Sequence, residues 1–132
     1  MKCSQFPLRG QQILIADDDD IAAEILARTL VALGATAVMA TTTEDALRQT
    51  QQTNPALSVL DLQLRGRETE SLRQALYEKR IPFVVYTALH HRAYIGRWAA
   101  MPLVFKPDEC GEVGRAVVRL SSQPSPWPWP VS

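Results

Sequence analysis

The sequence predicts an α/β fold in which a doubly wound, five-stranded parallel sheet is covered by about five helices. Five short apolar runs alternate with five segments of helical periodicity along the 132 residues, as is typical of parallel sheets with helices on both faces. The runs lack polar alternation, which indicates strands buried on both sides. Four runs end on charged or hydroxyl residues, and the carboxyl ends of parallel strands meet at one edge of the sheet. The fold therefore also predicts a site at that edge.

The first strand is predicted at residues 13–16 and ends on the four acids 17–20. An amphipathic helix is expected next, because small and apolar side chains recur at helical spacing, at Ala22, Ile25, Leu26, Thr29 and Leu33. Asp19 or Asp20 is expected to cap this helix and Gly34 to end it. A second strand is predicted at 35–39, and a helix capped within the threonine cluster 41–43 is expected to run to about residue 51.

The third strand is predicted at 56–60 and ends on Asp61, after a break at Asn54-Pro55. A third helix with an apolar face of Leu72, Ala75 and Leu76 leads to a fourth strand at 81–86, which ends on Thr87.

The last part of the domain begins with a weaker helix that places Tyr94, Ile95 and Trp98 on one side. A fifth strand, 103–105, ends on Lys106-Pro107, and a final helix is marked by Val113, Ala116, Val117 and Leu120.

The length predicts one domain, with a lead-in at 1–11, a folded domain at 12–120 and a tail at 121–132. Fourteen basic and fourteen acidic residues cancel, so the charge balance gives no reason to expect nucleic acid or an anionic membrane as a partner. Cys3 and Cys110 are read as free thiols in a reducing compartment, with a single bridge as the alternative. No run is long enough to span a membrane, so we expect a cytoplasmic protein.

The tail is rich in proline and contains Trp127 and Trp129. Four alternating prolines oppose both helix and sheet, so the segment is expected to be flexible or polyproline-like. Its two tryptophans are candidates for docking on the domain or on a partner, although an unstructured tail is the favoured expectation.

The groups at the strand ends predict phosphoryl chemistry. Asp17, Asp18 and Asp61 repel one another at neutral pH, so they need a cation among them or must take up protons. Mg²⁺ is a hard ion suited to carboxylate oxygens. With Lys106 and Thr87 nearby, such a site can receive a phosphoryl group on Asp61. Each residue also has an ordinary interpretation as a cap, a surface lysine or a strand residue. Only their joint position at successive strand ends is specific.

In this combination the sequence resembles the receiver domain of two-component response regulators, over roughly residues 11–120. The resemblance is carried by the segments 13–18 (ILIADD), 59–61 (VLD), 84–88 (VVYTA) and 104–107 (VFKP). It implies a flavodoxin-like fold with strand order 2-1-3-4-5. It also implies a signalling domain rather than a classical enzyme. Its phosphoryl donor would be a histidine kinase or a histidine phosphotransfer protein. The phosphorylated domain would then act on a downstream protein in trans, or serve as a phosphate sink or relay.

The resemblance implies a role for each matching residue. Asp61 would be the phosphoacceptor and a Mg²⁺ ligand, Asp18 a direct ligand and Asp17 a ligand through water. The backbone carbonyl of Gln63 would complete the protein ligands. The phosphoryl group would be contacted by Thr87 and Lys106, in a pocket kept open by the small residue Ala88.

Three departures from the family pattern concern how the signal is passed on to a partner, and not how the phosphoryl group is accepted. The loop after Asp61 lacks the usual proline and resembles a short variant seen in some stand-alone receivers. Leu103 replaces the aromatic switch residue, so Phe105, or the helix with Tyr94 and Trp98, is the candidate readout. No output domain follows in the sequence, which suggests a stand-alone receiver.

Two alternatives stay open. A degenerate receiver would act only as a protein-binding module. A phosphatase resembling the haloacid dehalogenases would instead use Asp17 and Asp19 as its acid pair, with Thr87 and Lys106 after them.

Overall fold

The computed structural model describes residues 5–88, 101–108 and 111–122. Strands and helices alternate within these ranges, in the order β1 (Gln12–Ala16), α1 (Asp20–Ala32), β2 (Thr36–Ala40), α2 (Thr43–Thr53), β3 (Leu57–Leu60), β4 (Gln63–Leu64), β5 (Arg67–Glu68), α3 (Glu70–Glu78), β6 (Phe83–Thr87), β7 (Leu103–Phe105) and α4 (Glu112–Ser122). The described helices are all too short or too polar to cross a bilayer.

Five of the strands form one parallel sheet in the order β2-β1-β3-β6-β7. Counted along the sheet strands alone, this is the predicted order 2-1-3-4-5. The chain moves outward in one direction from β1 to β2 and in the other from β3 onward, so β1 and β3 flank the switch point at which such sheets bind ligands. The predicted fold class is confirmed.

The core lies in two layers because successive strand residues point to opposite faces. On one face, Ile13 and Ile15 pack with α1 and α4; on the other, Leu14 and Ala16 pack with α2 and α3. Four helices are found among the described residues. The predicted helix with Tyr94, Ile95 and Trp98 lies outside them, as do both cysteines and residues 123–132.

The buried face of α1 differs from the prediction. Ala23, Leu26 and Leu30 are buried, whereas Ile25 is 61% exposed. Apolar side chains occur almost all round this helix, so its sequence is compatible with more than one buried face. Packing against the sheet selects the face that is buried. The caps are as expected: the Asp19 carboxylate accepts a hydrogen bond from the N–H of Ala22, and Gly34 follows the helix with a φ of 105°.

A two-residue turn was not predicted. Strands β4 and β5 pair antiparallel, with Leu64 opposite Arg67. Between them Arg65 and Gly66 have φ angles of 53° and 77°, the left-handed pair that a tight hairpin requires. The short loop after Asp61 is thus a hairpin that stands beside the edge where the strand ends converge.

The lead-in also contributes to the core, since Leu8 is fully buried in the layer beneath α1. Its N–H donates to the carbonyl of Leu33. A Cβ on Gly34 would meet the N atom of Arg9 at 2.9 Å, so only glycine permits this close packing.

Candidate functional site

The strand ends bring Asp17, Asp61 and Lys106 together. Asp17 follows β1, Asp61 follows β3 and Lys106 follows β7. The ammonium group of Lys106 donates to Asp17, with Nζ 2.8 Å from Oδ2 and 2.9 Å from Oδ1, and to Asp61 Oδ2 at 3.0 Å. Asp17 is 3% exposed and Asp61 9% exposed. The lysine therefore shares its positive charge between two carboxylates that burial would otherwise disfavour in their charged form.

Asp18 adds a third carboxylate to the cluster. One oxygen from each of Asp17, Asp18 and Asp61 lies within 4.8 Å of the others. Three carboxylates and one ammonium group leave a formal charge of about −2, which a divalent cation balances. Hard oxygen ligands at this spacing suit Mg²⁺, and the exposure of Asp18 leaves room for the waters that this ion retains. The residues present fit the predicted metal.

Burial and ion pairing change the proton affinity of the cluster. Burial raises the pKa of Asp17 above 3.8, and the opposing hydrogen bond from Lys106 does not cancel this effect. Burial alone would lower the pKa of Lys106, but the hydrogen bonds to Asp17 and Asp61 outweigh it and the pKa rises above 10.5. Lys106 is therefore a permanent cation at neutral pH.

The hairpin after Asp61 closes over the acids. The N–H of Arg65, at the hairpin tip, donates to Asp18 Oδ2 at 2.7 Å. The N–H of Gln63, the residue whose carbonyl is the predicted metal ligand, makes a long contact of 3.4 Å with Asp61 Oδ1. Backbone amides thus supplement Lys106 in holding the carboxylates.

Thr69 holds the backbone of Asp61 in place through hydrogen bonds, a role that was not predicted from the sequence. Its buried hydroxyl lies 2.8 Å from the carbonyl oxygen of Asp61 and 3.0 Å from that of Leu62, while its N–H donates to the Leu62 carbonyl at 3.0 Å. These contacts fasten the base of the hairpin to the end of β3. The local sequence around Thr69 gives no sign of these hydrogen bonds, because their acceptors lie seven and eight residues away.

Thr87 and Ala88 lie at the carboxyl end of β6, the strand between those that end at Asp61 and Lys106. Thr87 ends β6, between β3 and β7, and is fully buried. Its carbonyl accepts a hydrogen bond from the N–H of Lys106 at 2.8 Å, which fixes the two strand ends side by side. Ala88 follows and is exposed.

The two candidate readout residues occupy different environments. Leu103 is half-buried against the layer that contains α2 and α3, whereas Phe105, at the end of edge strand β7, is 38% exposed. Phe105 is therefore only partly buried, unlike a core phenylalanine.

Tyr86 and Asp108 form a second support for Lys106. The Lys106 Nζ lies 5.4 Å from the centre of the Tyr86 ring, within the range of a cation–π contact. The Tyr86 hydroxyl accepts a hydrogen bond from the N–H of Asp108 at 3.2 Å. The Asp108 carboxylate in turn accepts from the N–H groups of Glu112 and Val113, at 2.8 and 3.0 Å, and so caps α4.

The chain was compared with known proteins. No protein-family model matches it, and no curated protein matches its sequence. Solved structures do match: the receiver domain of a protein described as a LuxO repressor from Vibrio parahaemolyticus has a TM-score of 0.74 at 19% identity, over 85% of this chain and 89% of that chain.

Two further matches are more similar in sequence. The response regulator TrrA from Thermotoga maritima, solved in complex with Mg²⁺-BeF, has a TM-score of 0.72 at 25% identity, over 83% of this chain and 97% of that chain. A protein described as a response regulator from Chloroflexus aurantiacus has a TM-score of 0.70 at 29% identity, over 83% of this chain and 95% of that chain. The chain therefore has the receiver fold, and its structural neighbours are the receiver domains of response regulators.

Proposed function

We propose that this chain is a phosphoacceptor of the response-regulator type, in which Asp61 receives a phosphoryl group in a Mg²⁺-dependent reaction. The donor would be a histidine kinase or a histidine phosphotransfer protein. The observation that carries this proposal is the single lysine that bridges Asp17 and Asp61, with Asp18 completing a carboxylate cluster within 4.8 Å. These contacts support the proposal because they bring the candidate nucleophile, a cation and the candidate metal ligands to one edge of the sheet.

In the proposed reaction a carboxylate oxygen of Asp61 attacks the donor phosphorus. A P–O bond to Asp61 forms as the P–N bond to the donor imidazole breaks, and the departing imidazole takes up a proton. Mg²⁺ held by Asp17, Asp18, Asp61 and the Gln63 carbonyl would reduce the charge on the phosphoryl oxygens.

The surrounding side chains would stabilise the acyl phosphate. Lys106 is already within hydrogen-bonding distance of Asp61, so a small displacement would let it bind a phosphoryl oxygen. Thr87, on the neighbouring strand end, would donate its hydroxyl, and Ala88 would leave space beside it.

The phosphatase alternative is disfavoured by two contacts. The Asp19 carboxylate, which that reaction would need beside Asp17, caps α1. Asp108, the first acid after Lys106, caps α4 through both of its carboxylate oxygens. Each acid therefore has a structural partner instead of facing the cluster.

Incubation with acetyl phosphate and Mg²⁺, followed by intact-mass measurement, tests the proposal. We expect the gain of a single phosphoryl group and no gain when EDTA is present. Absence of any gain would favour the degenerate, binding-only receiver. Repeated turnover of a phosphate monoester such as p-nitrophenyl phosphate would favour the phosphatase.

A further inference from the structure

A mostly apolar groove lies between α1 and the start of α4 and borders Lys106. It has a volume of about 410 Å³; Ile21, Ile25 and Pro107 contribute apolar lining, and the charged residues Asp19, Lys106 and Asp108 also border it. A second hollow of about 370 Å³ continues it along α4, and the two share Thr29, Gly111 and Gly114. Together they form one channel along the two helices, which we call the α1–α4 groove.

Two features keep this groove open and apolar. Gly114 has no side chain, and a Cβ added there would lie 3.5 Å from the Thr29 methyl group. Ile21 and Ile25 are 72% and 61% exposed because the buried face of α1 is formed by its other apolar residues. Adjacent exposed isoleucines beside a groove of this size are typical of a binding surface rather than of scattered surface residues.

The tail that follows α4 has the composition to fill such a groove. Residues 123–132 read QPSPWPWPVS, with two tryptophans, four prolines and no charged side chain. Proline fixes φ before docking, so this segment loses less conformational freedom on binding than an ordinary chain of equal length. An uncharged aromatic segment matches an apolar surface better than it matches solvent.

The length of the tail also fits. The groove adjoins Gly114, about 12 Å along the helix axis from Ser122, where α4 ends. A polyproline segment rises about 3.1 Å per residue. Trp127 can therefore reach roughly 16 Å and Trp129 roughly 22 Å back from Ser122, enough to pass Gly114 and approach the exposed isoleucines.

We propose that residues 123–132 fold back along α4 and dock in the α1–α4 groove of the same molecule, with the Trp127 and Trp129 indoles against Ile25 and Gly114. The docking itself does not depend on phosphorylation.

The test uses the full chain labelled with 5-fluorotryptophan. Substitution of each tryptophan by phenylalanine in turn assigns the three ¹⁹F resonances, including that of Trp98. The difference in chemical shift between H₂O and D₂O then reports the solvent exposure of each indole. An isolated peptide of residues 123–132 supplies the fully exposed reference.

We expect the Trp127 and Trp129 resonances to show much smaller solvent shifts in the full chain than in the peptide. Ile25→Asp and Ile21→Asp should each restore the peptide values, because a charge in the groove opposes apolar docking. Val31→Asp is the matched control: Val31 is 54% exposed on the same helix but does not line the groove. This variant should leave the wild-type shifts unchanged.

Three results would overturn the proposal. Peptide-like shifts in the wild-type chain would show a free tail. Shielding that survives both isoleucine variants would place the tail elsewhere. Shielding that disappears on dilution would assign the groove to the tail of a second copy. Since no phosphodonor is used, failure of this proposal is distinguishable from failure of the proposed phosphorylation.

Discussion

The ammonium nitrogen of Lys106 lies 3.0 Å from Asp61 Oδ2, although forty-five residues separate the two along the chain. Sheet order produces this contact, because β6 alone stands between the strands that end at Asp61 and Lys106. The same ammonium group also binds Asp17. The fold thus carries its own cation at the edge where the acids converge, and several predictions depend on this arrangement.

Loss of that cation should make stability depend on Mg²⁺. Lys106→Met leaves the Asp17 and Asp61 carboxylates without their shared partner, so we expect unfolding in EDTA to become easier by about 1–3 kcal/mol. Mg²⁺ should raise the Tm of this variant more than that of the wild type, because it replaces the missing charge. Thermal unfolding with and without Mg²⁺ measures both effects. The control is Lys79→Met, at an exposed lysine after α3, and an equal Mg²⁺ response in all three proteins would contradict the prediction.

The contribution of Lys106 should also depend on pH in a defined direction. Its pKa in the folded chain lies above the usual 10.5, so the ion pairs stabilise the fold fully below that pH. Their contribution is lost as the pH rises through the folded-state pKa. In EDTA, the Tm difference between the wild type and Lys106→Met should therefore be constant near neutrality and shrink above about pH 10.5. A difference that grows with alkaline pH would refute this account.

Mg²⁺ binding should distinguish the two adjacent acids. Asp18→Ala removes a direct ligand and should weaken Mg²⁺ binding more than Asp17→Ala, for which a loss of about tenfold is expected of a residue acting through water. Asp18→Ala should also stabilise the metal-free protein, because repulsion within the cluster falls. Calorimetric titration measures the affinities, with the exposed Glu24→Ala as control. Unchanged Mg²⁺ binding by Asp18→Ala would refute the ligand assignment.

The hydroxyl of Thr69 should matter for phosphorylation as well as for stability. Thr69→Val keeps the shape but removes the donor to the Asp61 and Leu62 carbonyls, at a cost of about 1–3 kcal/mol. Because the base of the hairpin then loosens, phosphorylation from acetyl phosphate should slow.

Thr50→Val is the matched control for this change. Thr50 is 1% exposed and its hydroxyl donates to the Ala46 carbonyl at 2.7 Å, within α2. It should lower the Tm without changing the phosphorylation rate measured by intact mass. Equal slowing in both variants would mean that Thr69 acts only through overall stability.

Phe105 is predicted to report the phosphorylated state. Because it is 38% exposed, Phe105→Ala should cost less than the 3–5 kcal/mol typical of a buried phenylalanine, here below about 3 kcal/mol. Phosphorylation of Asp61 should be retained, whereas the effect of Mg²⁺ and beryllofluoride on binding to a histidine phosphotransfer protein should weaken. Met39→Ala, at a 49% exposed residue on the opposite edge strand, is the control. If Mg²⁺ and beryllofluoride change partner binding by Phe105→Ala as much as by the wild type, Phe105 does not report the phosphorylated state.

Much of this architecture is encoded locally and was predictable. The strand ends at Asp17, Asp61, Thr87 and Lys106 follow from apolar runs that stop abruptly on polar groups. The cap of α1 and the buried face of α4 follow from residue types at fixed spacings. These features need no knowledge of distant contacts.

The features that sequence reasoning missed depend on tertiary packing. The hairpin turns at Arg65-Gly66, and arginine is rare in the left-handed conformation, so the dipeptide is a weak turn signal. The buried face of α1 is selected by the sheet and not by the helix itself. Tyr86 acquires its role only when Lys106 and Asp108 are brought beside it.

The most direct test of the central claim is to locate the phosphoryl group chemically. Wild type, Asp61→Asn and the control Asp45→Asn are incubated with acetyl phosphate, with Mg²⁺ or with EDTA. Asp45 is a half-buried acid on α2 that pairs with Arg48. Borohydride then reduces any acyl phosphate to an alcohol, whose position is read by peptide mass spectrometry. We predict reduction at residue 61 in the wild type and in Asp45→Asn, only with Mg²⁺, and none in Asp61→Asn. Phosphorylation of Asp61→Asn to the wild-type extent, or at another residue in the wild type, would contradict this prediction.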